Sequence, residues 1–374
     1  MNENSSAFLK GLCDCFGPSG FEKEPARMMR NYVGKYSDDV SADRLGSLLF
    51  TKKGTSDKPV VLLPAHMDEV GFIVSSVNKL GYLTFNPLGD WFDQVLLGQR
   101  VRIRTSKGMI SGIIAAKPPH LLTSEERAKM ITQDKMFIDV GASNEDEAKA
   151  MGIRIGDPVV PDSCYSTIKK KIHRDGRRKG SDIIAIGKAF DNRVGAFIVA
   201  EVVRILKEDK IAHPNTVVGA ATTQEEVGLR GARTTAYVVK PDVCLTIDVD
   251  LAGDVPGIES KDAPTKMGLG PSISVFDSSM ITNEGLLEFV VGTAKRAKIP
   301  YQISQCGPEG GATDAGIVHI SNAGCPSIVI GVPVRHVHAH AGMMSLTDTE
   351  NTIKLLVEVI RKLDRKMVES FTAI

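Results

Sequence analysis

The sequence predicts an α/β/α sandwich interrupted by a smaller β-rich, barrel-like domain. Three observations predict it. From about Asp182 onward, apolar runs alternate with segments of helical period, the rhythm of strands and helices laid in turn. From about Ser76 to Ser181 the chain breaks into short alternating segments punctuated by Gly98, Gly108, Gly112, Gly141, Gly152 and Gly156, which is the pattern of a compact β unit. The opening 75 residues already contain helical stretches and a buried strand. One α/β domain, residues 1–75 and 182–374, with an insertion at 76–181, accounts for all three.

The elements follow in chain order. Two short helices flank Gly17-Pro-Ser-Gly20, and a turn is expected at Asp43-Arg-Leu-Gly46. Val60-Val-Leu-Leu63, ending in Pro64, suits a buried strand. Inside the insertion, Val101-Arg-Ile-Arg104 and Met109-Ile-Ser-Gly-Ile-Ile114 alternate at strand period. Val194 to Leu206 has helical spacing, and strands are expected at Val217–Ala221, Val243–Ile247, Ser272–Val275 and Ser327–Ile330, with a helix over Gly285–Ala297. The last helix is expected to open at Thr347 with Glu350 in capping-box spacing, placing Ile353, Leu356, Val357, Ile360 and Leu363 on one face.

Composition narrows the function classes. Lys+Arg 46 against Asp+Glu 45 gives a net charge of +1, which advertises neither nucleic acid nor an acidic membrane as partner. The uncharged stretch Ala315 to Val334 contains Asn322, Gly324 and Pro326 and is read as buried strands and turns, not a membrane helix. No secretory signal follows Met1, and the six cysteines (Cys13, Cys15, Cys164, Cys244, Cys306, Cys325) form no Cys-x-x-Cys pair. Reduced thiols and a cytoplasmic protein are expected.

Five short segments carry the chemistry, each at or just after the carboxyl end of an expected strand, where open α/β sheets hold their ligands. They are Pro64-Ala-His66-Met-Asp68, Phe190-Asp191-Asn, Gln224-Glu225-Glu226, Thr246-Ile-Asp248-Val-Asp250 and Arg335-His336-Val-His338-Ala-His340. His66 and Asp68 lie two apart on an extended chain, so the Asp68 carboxylate is expected to receive the imidazole N–H and leave the other nitrogen for a metal. Asp191 alone would pass as a helix N-cap. Adjacent acids at Glu225 and Glu226 repel unless cations neutralise them, and Asp248 at a strand end is expensive to bury unless paired or bound to metal. Two histidines, one shared aspartate and two further carboxylates suit a pair of divalent cations roughly 3.5–4 Å apart with a bridging water made acidic enough to attack a carbonyl. The remaining glutamate is left to take the proton from that water.

The chain resembles the tetrahedral (TET) metallo-aminopeptidases, a family with glutamyl and deblocking members sometimes labelled endoglucanases. The resemblance runs over nearly the whole chain and is carried by Gly17-Pro-Ser-Gly-Phe-Glu22, Ala65-His-Met-Asp-Glu-Val-Gly71, Lys117-Pro-Pro-His120, Phe190-Asp-Asn-Arg-Val-Gly195, Gln224-Glu-Glu-Val-Gly-Leu-Arg-Gly-Ala232 and Thr313-Asp-Ala315. It implies a peptide-hydrolysing aminopeptidase using two divalent ions per subunit, zinc first, with cobalt or manganese as substitutes. It implies His66 and Asp248 on one ion, Glu226 and His338 on the other, Asp191 bridging through a cis Asp191–Asn192 bond, and Glu225 as base. It also implies peptide substrates and a hollow twelve-subunit homo-oligomer whose contacts the insertion mediates. This chain departs from the family's usual Arg-Tyr-Ile-His-Ser at the last ligand, where His336 and His340 compete with His338; Asp250 competes with Asp248. A dinuclear N-acyl amino acid deacylase or carboxypeptidase is the alternative reading, although such enzymes keep the gap from His66 to Asp191 short. A glycosidase leaves the histidines unused, and a non-catalytic shell protein leaves Glu225 unused.

Overall fold

Val60–His66 is buried at every position after Val60, and its neighbours explain why. In the computed structural model, which describes residues 1–174, 177–305 and 311–373, this strand pairs in parallel with Thr216–Thr222 on one side and Val243–Leu251 on the other. Ser327–Arg335 continues the parallel ladder. Antiparallel strands extend the sheet at both ends. The order is Asp39–Ala42, Leu48–Lys53, Thr216–Thr222, Val60–His66, Val243–Leu251, Ser327–Arg335, Gly342–Ser345, Arg177–Gly187 and Ser166–Arg174, with Ser272–Ser274 and Gln302–Ser304 off this path.

Alternation along the central strands fills two layers. Val61 and Leu63 join a large core with Leu9, Phe197, Val199 and Leu356, whereas Leu62 joins a second cluster with Ala232, Ala236 and Val318. Helices Glu3–Asp14, Phe190–Glu208 and Leu346–Ile360 therefore cover one face, and Arg230–Val239 with Ala315–Val318 the other. This is the α/β/α sandwich the strand–helix rhythm predicts.

Six antiparallel strands, Gly71–Val77, Leu83–Leu88, Arg100–Thr105, Gly108–Ala115, Phe137–Asp139 and Pro158–Pro161, close a separate barrel. Its own core holds Phe72, Val74, Leu83, Val101, Ile103, Ile114, Ile138 and Val159. Against expected limits of 76 and 181, the barrel's strands lie between Gly71 and Pro161, and Ser166–Arg174 with Arg177–Gly187 joins the large sheet instead. Local alternation cannot distinguish the two, since hairpins of either sheet read alike; the pairing of Ile184–Gly187 with Gly342–Ser345, more than 150 residues away, decides it. Arg104 seats the barrel on the sandwich by pairing with Glu24 and lying 4.0 Å over the Phe16 ring, while Arg102 Nη2 donates to the Asp14 carbonyl at 3.0 Å.

Two further expectations are corrected. The last helix is capped by Ser345, whose side chain accepts from Asp348 N, and not by Thr347; the Thr347 hydroxyl donates to Asp182 at 2.7 Å instead. The stretch 315–334 opens with the short helix Ala315–Val318 before its strand begins at Ser327. Among the described residues no helix is long and apolar enough to cross a membrane. Cys13, Cys15, Cys164, Cys244 and Cys325 are free, and Cys306 lies outside the described residues.

Candidate metal centre

Three parallel strands deliver the site at their carboxyl ends. His66 closes Val60–His66, Glu225 and Glu226 follow Thr216–Thr222 by one tight turn, and Asp248 lies near the end of Val243–Leu251. Gln224 takes φ 54° in that turn, which brings two consecutive backbone N–H groups, those of Glu225 and Glu226, onto the Asp68 carboxylate at 3.1 and 3.2 Å. The Ser19 hydroxyl adds a third donor at 2.7 Å. Asp68 is thus the clamp of the glutamate turn. Its carboxylate stands 3.5 Å from His66 Nδ1, and the nearer acceptor for that nitrogen is Asp68's own carbonyl, at 3.3 Å. The expected carboxylate–imidazole contact is therefore shared with the main chain, and His66 Nε2 is left facing the site.

Asp191 sits where Phe190–Glu208 departs from helical geometry, after Ala189 at φ 58°, and its bond to Asn192 is cis. The buried Asn192 holds the turn, its amide donating to the Ile247 carbonyl and accepting from Gly195 N. The two Asp191 oxygens then face opposite ways: Oδ1 lies 3.0 Å from His66 Nε2 and Oδ2 lies 3.2 Å from His338 Nε2. Around His66 stand Asp248 at 3.9 Å and Glu225 at 3.7 Å; Glu226 stands 3.3 Å from His338. Ligand-type atoms of His66, Glu225 and Asp248 lie within 4.8 Å of one another, as do those of His66, Asp191 and Glu226.

Electrostatics describe a carboxylate-rich pocket short of positive charge. Burial pushes Glu225 and Asp248 well above the usual carboxylate range; His66 opposes this, and neighbouring acids reinforce it. Burial alone would push His66 and His338 down, but the surrounding carboxylates hold His66 well above the ordinary imidazole value and His338 at about 11. Asp191, held by both histidines against its own burial, is lowered. Glu226 is raised by burial and by Asp191, and its Oε1 is buried without a hydrogen-bond partner among the described residues. An orphaned carboxylate oxygen among imidazoles and acids fits a divalent cation, which would supply the missing charge and the missing partner together.

Of the three clustered histidines only His338 enters this set. His336 is exposed at φ 61°. His340 is buried 5.5 Å from the Trp91 ring, pushed down to about 4 by burial. Asp250 is raised by burial, with Ser272 and Ser304 of neighbouring strands opposing the shift, so it belongs to a different environment from Asp248. Two acids were not singled out by sequence reasoning. Asp314, raised to about 6 by burial, accepts from the Thr222 hydroxyl at 2.5 Å. Glu22, raised to about 7 by burial and by Asp68, accepts from Gln224 N at 3.0 Å. Both lie in segments that carry the resemblance, Thr313–Ala315 and Gly17–Glu22, and that was the available signal.

Comparison with known proteins agrees with the fold. The M42 glutamyl aminopeptidase family model matches residues 46–355. The chain is 32% identical to a glutamyl aminopeptidase of Lactococcus lactis subsp. cremoris, covering 96% of this chain and 97% of that one. Among solved structures, a TET aminopeptidase from a marine sediment Thaumarchaeota archaeon superposes with TM-score 0.93 at 54% identity, covering 99% of each chain. The TET1 peptidase of Pyrococcus horikoshii, which can assemble into a tetrahedron or a large octahedral shell, superposes with TM-score 0.80 at 27% identity over 96% of this chain and 100% of that one. The chain belongs to the M42 glutamyl aminopeptidase family. It is a metal-dependent aminopeptidase, a hydrolase of peptide bonds.

Proposed function

We propose that this M42-family aminopeptidase works with two divalent cations per subunit, His66 and Asp248 holding one, Glu226 and His338 the other, and Asp191 shared between them. The observation that carries this reading is the opposed pair of Asp191 oxygens, each within 3.2 Å of a different histidine. Distance alone would let Glu225 join His66 and Asp248. We assign it instead as general base, because the five other donors already complete two sets and leave one carboxylate free. Bound there, the cations would polarise the scissile carbonyl and acidify the attacking water. Glu225 takes the proton of that water on its carboxylate and returns it to the nitrogen of the departing amine. Asp68 keeps the base in place by holding the N–H groups of Glu225 and Glu226, and burial of the pocket keeps competing water out.

Zinc suits this mixed imidazole–carboxylate set, and cobalt or manganese suits it as well. Elemental analysis should find two divalent ions per chain after loading. The loaded enzyme should cleave aminoacyl-arylamides and peptides with free amino termini and leave N-acetylated peptides intact. A single ion at saturating metal would sink the dinuclear scheme. Hydrolysis of N-acyl amino acids without action on free-amine peptides would move the assignment to a deacylase.

We also propose a cytoplasmic homo-oligomer, a twelve-subunit shell by analogy with TET1 of P. horikoshii. Leu121, Met130 and Ile155, on the barrel and its loops, are 69%, 54% and 72% exposed, apolar surface of the kind an assembly covers. Light scattering should show an assembly far larger than one chain, and a stable, fully active monomer would contradict it.

A further inference from the structure

Ser166–Arg174 ends the large sheet. Among the described residues its one partner is Arg177–Gly187, so its other edge presents a row of main-chain N–H and C=O groups without a neighbouring strand. Residues 166–171 are exposed, and Ile168, at 50%, adds an apolar contact point. Lys169, Lys170 and Lys171 stand opposite Ile183, Asp182 and Ser181. The one acid among those partners is already engaged: Asp182 is buried and accepts from the Ser345 and Thr347 hydroxyls, each at 2.7 Å. The sequence from Lys169 to Lys179 contains seven Lys or Arg and one Asp, in a chain whose net charge is only +1. Lys169, Lys170 and Lys171 therefore place three consecutive positive charges on one open strand edge.

The root of this strand adjoins the metal centre's own support. Tyr165 packs edge-on against Phe190, ring centres 6.3 Å apart, and Phe190 immediately precedes Asp191. At roughly 3.3 Å per residue, an edge of nine residues runs about 30 Å outward from that root, the length of an extended peptide of similar size.

We propose that the free edge of Ser166–Arg174 docks an acidic, extended segment of the peptide substrate, remote from the amino end being cleaved, by strand addition. An extended polypeptide offers alternating N–H and C=O groups in the register the edge needs, and its Asp or Glu side chains meet Lys169, Lys170 and Lys171. A nucleic acid backbone would satisfy the lysines but offers no regular donors for the strand's carbonyls, so the open edge favours a peptide. Lysines on an edge also guard against self-association; reversing their sign keeps that guard and removes the attraction, which separates the two roles.

The substrate half of this proposal rests on the aminopeptidase reading; the docking half does not, and the experiment tests them apart. An N-acetylated, fluorescein-labelled, Glu-rich ten-residue β-prone peptide is titrated with the metal-loaded enzyme by anisotropy, beside its alternately N-methylated analogue. The triple variant Lys169→Glu/Lys170→Glu/Lys171→Glu should bind the parent peptide roughly 10-fold more weakly, and the N-methylated analogue should bind the wild type more weakly by a similar factor. Kinetically, the triple variant should keep the kcat and KM of an aminoacyl-arylamide. It should raise KM, and not kcat, for a twenty-residue peptide ending in the acidic segment. Unchanged binding by the variant overturns the proposal. So does equal binding of the N-methylated analogue, or displacement of the peptide by a 20-base-pair DNA duplex at lower concentration, either of which would mark a general polyanion surface. Dissociation of the assembly by the triple variant, with peptide KM unmoved, would assign the edge to a second copy of the chain and overturn it as well. Loss of arylamide activity in the wild type would instead count against the aminopeptidase reading and leave the anisotropy result to decide docking by itself.

Discussion

Glu225→Gln should lower kcat by about 10²–10⁴-fold, the usual contribution of a general base, while leaving metal content and assembly near wild type. The amide has the shape of the carboxylate and cannot accept the proton. Glu226→Gln should behave differently. Its Oε2 lies 3.3 Å from His338 Nε2 and its Oε1 is buried without a partner among the described residues, so its loss should lower metal occupancy together with rate. Both changes leave the backbone N–H groups on Asp68 in place, so the turn itself should persist in each variant. KM should move little for Glu225→Gln if binding and chemistry are separable. Metal analysis beside steady-state kinetics checks the pair. Metal loss in Glu225→Gln with none in Glu226→Gln would exchange the two assignments, and near-full activity in Glu225→Gln would remove Glu225 from the chemistry.

Glu69→Gln should destabilise the fold by about 3–5 kcal/mol, the cost of stripping one member from a buried ion pair. Lys188 and Glu69 are both about 1% exposed at their side chains, with Lys188 Nζ 2.6 and 2.7 Å from the two carboxylate oxygens. Arg193, fully buried, lies 3.5 Å away, and its guanidinium also donates to the carbonyls of Leu12 and Gly17. Removing the Glu69 charge leaves two buried cations facing each other. Lys188→Met should cost less, because Glu69 keeps Arg193 and the Gly17 N–H, at 3.2 Å. In the double variant part of the loss should return, since the strongest uncompensated charge is gone. Urea denaturation of the three variants checks this, and equal small losses in all of them would mean that water reaches the trio. The network joins the loops at Gly17 and Glu69 to Arg193 on the helix that carries Asp191, so its stability and the geometry of the candidate site share one support.

The sequence determined which polar groups stand at the strand ends and their addresses, because both are written in local pattern. An apolar run ending in His66, another ending before Glu225-Glu226 and a third reaching Asp248 place polar groups at strand ends, and the change between 3.6-residue and two-residue periods announces a sandwich with a β-rich insertion, though not where the insertion ends. Strand ends of a parallel sheet converge, so five such segments sufficed to anticipate one centre. What the tertiary structure decided depends on partners far away in the chain. Only His338 of its cluster meets Asp191 and Glu226, because the turn after Arg335 sends His336 to solvent and His340 under Trp91. Asp68 proved chiefly a clamp for Glu225 and Glu226, a contact 157 residues long in sequence. The 166–187 hairpin joined the sandwich because Gly342–Ser345 pairs with it, and Asp314 came to the site through Thr222, 92 residues away. Periodicity reports which face a residue shows, and it carries no information about which distant group that face will meet; only packing of the whole chain supplies that.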